Sequence, residues 1–141
     1  MAKIKTKFDS LVKLKKMKVD EFQNHLTKMN NQLKIEEDNL SKMQQEFASL
    51  TPPKEGNFGI IIQFKNTQQD MLKTINNKKN QIEFIKGQIR LIKENLKNAE
   101  LEYEKMKYLQ AEEIKKYIKK LKDKEAKYMD EIALLLFKKD K

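Results

Sequence analysis

The N-terminal third of the chain carries a regular hydrophobic repeat. Alternate steps of four and three residues from Phe8 reach thirteen positions, of which eleven are apolar. These positions are Phe8, Val12, Lys15, Val19, Phe22, Leu26, Met29, Leu33, Glu36, Leu40, Met43, Phe47 and Leu50. An unbroken period of about 3.5 residues is typical of a coiled-coil seam, the line of side chains through which two helices pack. We expect its two polar members, Lys15 and Glu36, to set the register or the choice of partner.

Both prolines of the chain, Pro52 and Pro53, interrupt this pattern. Proline cannot continue a helix, and it also restricts the residue before it, so segment 51–57 is predicted to be a break. The sequence on either side is free of proline. We therefore expect two helical arms, the first from about residue 4 to 50 and the second from about 67 to 138.

The segment between the break and the second arm, residues 58–66, is rich in large apolar side chains. This composition suits a short helix or turn at the tip of a hairpin. Thr67 and Asp70 have the spacing of a capping box, which predicts that the second long helix starts there. A second seam follows from Met71 or Leu72 to Met106, with Lys79 inside it. Gly87 is expected to lie within a continuous helix, because one glycine costs only about 1 kcal/mol there.

These patterns predict an all-α fold, a long antiparallel two-helix coiled coil or helical hairpin formed by a single domain, residues 1–141. A short connection favours antiparallel neighbours. If Leu50 faces Gln68, residues whose numbers sum to 118 face each other, and Phe8 faces Gln110. About thirty residues at the end of the second arm then have no partner helix. Their apolar stripe is expected to be an interaction site.

The composition narrows the possible chemistry. Of the 141 residues 37% are charged, and there are three glycines, no cysteine and one histidine. His25 lies on the flank of the first seam, where we expect a solvated side chain, and no cysteine or second histidine could share a metal with it. A two-helix rod is not expected to form a concave catalytic pocket. The sequence therefore predicts no enzyme activity, no metal and no cofactor.

The net charge of +10 comes from 31 basic and 21 acidic residues. Residues 1–18 carry a net charge of +6 and residues 112–141 a net charge of +3. In an antiparallel hairpin both segments lie toward the same end, which favours an acidic partner. Nucleic acid is not expected, because Arg90 is the only arginine and no aromatic row lies outside the seam. The apolar runs are too short for a membrane span.

Two terminal motifs resemble a known family. The N-terminal sequence Phe8-Asp-Ser-Leu11-Val-Lys-Leu14-Lys15 resembles the opening of the FliJ proteins of the bacterial flagellar type III export apparatus. The C-terminal sequence Lys127-Tyr-Met-Asp-Glu-Ile-Ala133 resembles the closing Lys-x-x-Asp-Glu-x-Ala element of that family. The length, the basic charge and the break between two helical arms agree with this resemblance.

The resemblance implies a stalk-like coiled coil that is cytoplasmic and peripheral at the inner face of the cell membrane near the flagellar base. It implies two partners, the export ATPase FliI, whose ring assembly it would promote, and the cytoplasmic domain of the export-gate protein FlhA. It also implies a role toward export chaperones. Linking the two partners would couple ATP hydrolysis to protein export.

The resemblance further implies two sets of contact residues. The ATPase-facing set is Phe8, Leu11, Lys127, Met129, Asp130, Glu131 and Ile132. The gate-facing set is Asn39, Met43, Phe47 and Leu50 on the first arm with Phe64, Gln68, Met71 and Ile75 on the second. Several gate-facing residues are seam positions, so packing within the hairpin is an equal alternative for them.

Two other functions stay open from the sequence. One is a coiled-coil adaptor or chaperone of a different protein complex. The other is a basic protein that binds nucleic acid or a membrane surface, and steep salt dependence of binding would distinguish it.

Overall fold

The structure, a computed structural model, describes residues 4–139. It contains two helices, α1 from Asp9–Ala48 and α2 from Phe58–Lys139, and residues 4–139 include no strand. The two helices pack against each other as an all-α helical hairpin. This arrangement confirms the fold class predicted from the sequence.

The seam predicted for α1 agrees with the burial of its side chains. All thirteen positions reached from Phe8 are half-buried, and in α1 the only other half-buried residues are Asp9 and Asn39. No residue of α1 is fully buried. The heptad pattern therefore identifies the packing face of this helix residue by residue.

Contacts divide the described chain into two units. The first unit consists of residues 4–20 and 98–139, and the second of Glu21–Lys97. Within each unit a stretch of α1 packs antiparallel to a stretch of α2. In the first unit, Asp9 contacts Gln110, and in the second, Glu36 contacts Lys78.

The buried core lies in the second unit and is formed by one face of α2. Six of the described residues are buried, and they follow each other at steps of seven, three or four: Ile75, Ile82, Ile85, Ile89, Ile92 and Leu96. Full burial of such a side chain contributes about 1.5–3 kcal/mol to stability. These residues continue the predicted second seam, so the face of α2 that packs on α1 was correctly predicted here.

The polar position of the second seam is Lys78 rather than the predicted Lys79. Lys78 is half-buried, whereas Lys79 is exposed. The ammonium group of Lys78 donates a hydrogen bond of 2.6 Å to Oε2 of Glu36, the acidic member of the first seam. The two side chains are only 18% and 15% exposed. An ion pair across the seam therefore satisfies both charges where water has little access.

The start of α2 differs from the prediction. The side-chain oxygen of Asn57 accepts a hydrogen bond of 3.1 Å from the backbone N–H of Ile60, so Asn57 is the N-cap. Residues 58–66 form the first turns of α2 and not a separate short helix. The predicted capping box at Thr67 is also wrong, because the Thr67 hydroxyl donates to the backbone oxygen of Gln63 inside the helix.

Gly56 allows the chain to turn into α2. Its φ of +149° lies in a region that side chains with a Cβ rarely adopt. A Cβ at this position would also lie 2.9 Å from Cδ1 of Ile60. The helix then runs without interruption through Gly87 to Lys139, as the sequence predicted for Gly87. Within the described residues, neither helix has an apolar stretch long enough to cross a membrane.

A substitution at Leu33, in the middle of the α1 seam, tests this packing. We expect Leu33→Asp to lower the free energy of unfolding by about 2 kcal/mol or more, because it places a carboxylate in a half-buried apolar contact. Ile35→Asp is the matched control, since Ile35 is two residues away and 59% exposed. Thermal unfolding followed by circular dichroism measures both. Equal melting temperatures for the two variants would contradict the seam.

Candidate partner-binding surfaces

The start of α1 is fixed by a capping box that the sequence analysis missed. The Thr6 backbone N–H donates to Oδ2 of Asp9 at 3.1 Å, and the Thr6 hydroxyl donates to Oδ1 at 2.7 Å. The Thr6 hydroxyl oxygen in turn accepts from the backbone N–H of Phe8 at 3.2 Å. The Thr-x-x-Asp spacing could have predicted this capping box, because it occurs at Thr6 as well as at Thr67.

The capping box of α1 is bonded to α2. The side-chain amide of Gln110 donates a hydrogen bond of 2.8 Å to Oδ1 of Asp9. This contact agrees within one residue with the predicted facing of Phe8 and Gln110. The Gln110 amide, the two bonds from Thr6 and the charge of Lys5 together lower the pKa of Asp9 below its ordinary value. The carboxylate of Asp9 thus closes α1 and joins it to α2.

Tyr103 forms a second contact between the helices in the first unit. The Lys16 ammonium lies 5.7 Å from the centre of the Tyr103 ring, and the Lys107 ammonium lies 4.7 Å from it. Lys16 also forms an ion pair of 3.6 Å with Asp20. The ring attracts both cations, so a half-buried aromatic residue tolerates two lysines beside it.

The ATPase-facing residues implied by the resemblance fall into two groups that the structure does not bring together. Phe8 is half-buried and Leu11 is exposed at the start of α1. The other five lie on α2 and are exposed except for the half-buried Ile132: Lys127, Met129, Asp130, Glu131 and Ile132. Gln110 contacts the start of α1, and it precedes Lys127 by seventeen residues, a helical rise of ~25 Å.

Residues 121–138, which we call the C-terminal segment, are exposed apart from Ile132. Their exposed large apolar side chains are Leu121, Tyr128, Met129, Leu134, Leu135, Leu136 and Phe137. The segment begins directly after Lys120, which lines a cleft together with residues 4–7. This exposure agrees with the prediction that the apolar stripe of α2 continues beyond the residues that face α1.

The gate-facing residues lie along the seam of the second unit. Met43, Met71 and Ile75 line one open cavity of about 320 Å³, together with Glu46, Thr67, Asp70 and Thr74. The remaining members are half-buried: Asn39, Phe47, Leu50, Phe64 and Gln68. Ile75 is buried. Most of these side chains therefore contribute to packing, and the cavity leaves part of Met43 and Met71 accessible.

No group of three or more His, Asp or Glu side chains in the described part of the chain could hold a metal ion. What the surfaces offer instead is exposed apolar and charged side chains, which suit contacts with other macromolecules.

The comparison with protein families tests the resemblance that the terminal motifs indicated. The family model described as "Flagellar FliJ protein" matches residues 4–141, essentially the whole chain. The chain belongs to the FliJ family. No curated protein and no solved structure matches it. FliJ membership makes this a coiled-coil protein related to flagellar export, associated with the export machinery, in agreement with the resemblance of its terminal motifs.

The bond between Gln110 and Asp9 gives a titration test. We expect Gln110→Leu to raise the pKa of Asp9 toward its ordinary value of 3.8, because the largest stabilising bond to the carboxylate is lost. NMR titration of the Asp9 carboxyl measures the shift, and Gln88→Leu, an exposed glutamine on the same helix, should leave it unchanged.

The same depressed pKa predicts the direction of the pH dependence. The contribution of Asp9 to stability is complete above its unfolded-state pKa and is lost as the pH falls through the lower folded-state value. Acid unfolding of Gln110→Leu should therefore begin at higher pH than that of the wild type. An unchanged onset, with an unchanged Asp9 titration, would contradict the role of this bond.

Proposed function

We propose that this FliJ-family protein is a non-enzymatic, stalk-like coiled coil that links the ring of the export ATPase FliI to the cytoplasmic domain of the gate protein FlhA. In this role it promotes ATPase assembly and protein export. The observation that carries the proposal is the family match over residues 4–141, which includes both terminal motifs. We place the protein in the cytoplasm, peripheral at the inner face of the membrane near the flagellar base, with export chaperones as further partners.

Within the C-terminal segment, residues 127–132 are the proposed ATPase contact. Lys127, Asp130 and Glu131 are exposed charges beside Met129, which is 63% exposed. A partner that covers these apolar side chains removes them from water, and a fully desolvated anchor contributes about 2 kcal/mol or more. The acidic pair Asp130 and Glu131 places negative charge among the surrounding lysines. It therefore supplies specificity in addition to affinity.

Phe8 and Leu11, the other two proposed ATPase-contact residues, lie apart from residues 127–132. They lie near Gln110 rather than near Lys127, because Asp9 bonds to Gln110. An ATPase contact that includes both groups therefore has two separate parts, which lie ~25 Å apart along α2. Leu11 is exposed and available for such a contact, whereas the half-buried Phe8 mainly packs in the seam.

The cavity at Met43, Met71 and Ile75 is the proposed contact for FlhA. Its lining combines methionine side chains, which adapt to different partners, with the carboxylates of Glu46 and Asp70. An apolar side chain of the partner can enter the cavity while its polar neighbours meet the carboxylates. The seam then holds the hairpin together and presents the cavity at the same time.

Charge reversal in the C-terminal segment tests the ATPase contact. We expect Asp130→Lys with Glu131→Lys to abolish stimulation of FliI assembly and ATP hydrolysis, and to reduce swimming, while helicity and melting temperature stay unchanged. Asp123→Lys with Glu125→Lys is the matched control, because it makes the same charge change at exposed positions of the same helix. If both double variants stimulate FliI like the wild type, the proposed contact is wrong.

Substitutions of two methionines in the α1 seam distinguish packing within the hairpin from partner binding. Met43 lines the cavity, whereas Met29 is a half-buried seam residue outside it. Met43→Ala and Met29→Ala should each lower the free energy of unfolding by about 1–2 kcal/mol. Only Met43→Ala should weaken binding to the FlhA cytoplasmic domain, by about tenfold in a titration. Equal FlhA binding by both variants would assign Met43 to packing alone.

A further inference from the structure

We propose that the basic segment of α2 at residues 114–122, together with Lys5 and Lys7, binds the surface of an anionic lipid bilayer. This goes beyond the proposed function, which involves only protein partners. The inference rests on a lysine cleft that the fold assembles, on an apolar stripe beside it, and on the exposure of both.

The lysine cleft brings together two distant parts of the sequence. Lys5 and Lys7 precede α1, and they line an open cleft of about 190 Å³ with Lys116 and Lys120 of α2. The rest of the lining is Ile4, Thr6, Tyr117 and Glu113. Within residues 4–139, none of the four ammonium groups forms an ion pair with a carboxylate. Four cations facing one carboxylate make a concave site that favours phosphate groups.

The sequence of the segment is that of a basic amphipathic helix. Residues 114–122 read Ile-Lys-Lys-Tyr-Ile-Lys-Lys-Leu-Lys and contain five lysines and no acidic residue. The four apolar residues fall at helical spacings of three and four, so they share one face, which Lys115, Lys120 and Lys122 flank. Lys115 is the one lysine of the segment with an acidic partner, since it lies 3.7 Å from Glu112.

The apolar face of the segment is accessible where lipid would meet it. Ile114 is half-buried near the start of α1, whereas Tyr117, Ile118 and Leu121 are 48%, 39% and 43% exposed. Such a face enters the boundary between headgroups and acyl chains, and the flanking ammonium groups then reach the lipid phosphates. The lysine stems cover further apolar area while their charges stay in water.

Charge and shape favour a bilayer over nucleic acid as the occupant. A nucleic acid would neutralise the lysines but leave the apolar face in water, whereas a bilayer interface satisfies both. Residues 114–122 also contain no arginine, the side chain best suited to bidentate phosphate or base contacts. An anionic bilayer is thus the surface whose chemistry complements the whole segment.

Vesicle co-sedimentation with the full chain tests the proposal. The wild type should bind phosphatidylcholine vesicles that contain phosphatidylglycerol and bind pure phosphatidylcholine weakly. Each lysine near an anionic surface strengthens partitioning about fivefold, so Lys116→Gln with Lys120→Gln should weaken it about 25-fold. Lys93→Gln with Lys97→Gln is the matched control, because it removes the same charge at the same spacing from exposed positions of α2 and should bind like the wild type.

The apolar half of the surface is tested separately. Ile118→Ser with Leu121→Ser should also weaken binding, and the loss should persist at high salt, where the lysine contribution is screened. Circular dichroism confirms that each variant remains helical. Equal loss in the Lys116/Lys120 and Lys93/Lys97 variants would overturn the proposal, because net charge and not this site would then explain binding. Equal binding of the wild type to neutral and anionic vesicles would also overturn it, as would binding to duplex DNA without binding to vesicles.

The proposed bilayer contact and the proposed ATPase contact can be tested separately. Lys116→Gln with Lys120→Gln should lose vesicle binding but still stimulate FliI, because neither lysine belongs to the proposed ATPase contact. Asp130→Lys with Glu131→Lys should show the reverse, with vesicle binding retained. Loss of FliI stimulation in both variants would overturn the separation of the two surfaces.

Discussion

Each helix of this protein has one neighbouring helix, and this constraint determines how the chain uses its side chains. Only one face of α1 can be covered, so thirteen positions of the seam supply its packing and none of its residues is fully buried. The remaining faces stay in water, which is why a chain with 37% charged residues folds into this hairpin. Stability is therefore spread over many half-buried contacts. The two exposed sides of each helix are free to carry partner surfaces.

Two of the proposed partner surfaces lie where the pairing of the two helices stops. The face of α2 that buries Ile82 and Ile85 in the second unit is a continuous apolar stripe, and in the first unit the same stripe continues past Gln110. Beyond Lys120 most of the large apolar side chains of α2 are exposed. Residues 114–122 carry five lysines and no acidic residue, whereas Asp130 and Glu131 form an acidic pair farther along the helix. The proposed bilayer contact and the proposed ATPase contact therefore differ in chemistry although they lie on one helix.

The sequence predicted those features that depend on helical periodicity, and it failed where two local signals compete or where a choice depends on tertiary contacts. The α1 seam was correct because a 3.5-residue repeat is imposed by the packing geometry itself. The start of α2 was wrong for a local reason, because both Asn57 and Thr67 suit an N-cap and the structure uses Asn57. Lys78 and Lys79 are adjacent, so only the contact with Glu36 distinguishes them. The lysine cleft depends on where residues 4–7 lie along α2, and no local sequence pattern predicts that position.

The position of Glu36 in the seam disfavours pairing with the wrong chain. Two copies of α1 paired in parallel and in register would bring Glu36 against Glu36 and Lys15 against Lys15, with little water to separate the like charges. Lys78 of the same chain removes this conflict by pairing with Glu36. Because α1 is synthesised before α2, its seam has no partner from its own chain until α2 follows. The charge of Glu36 disfavours pairing with another copy of α1 during that interval.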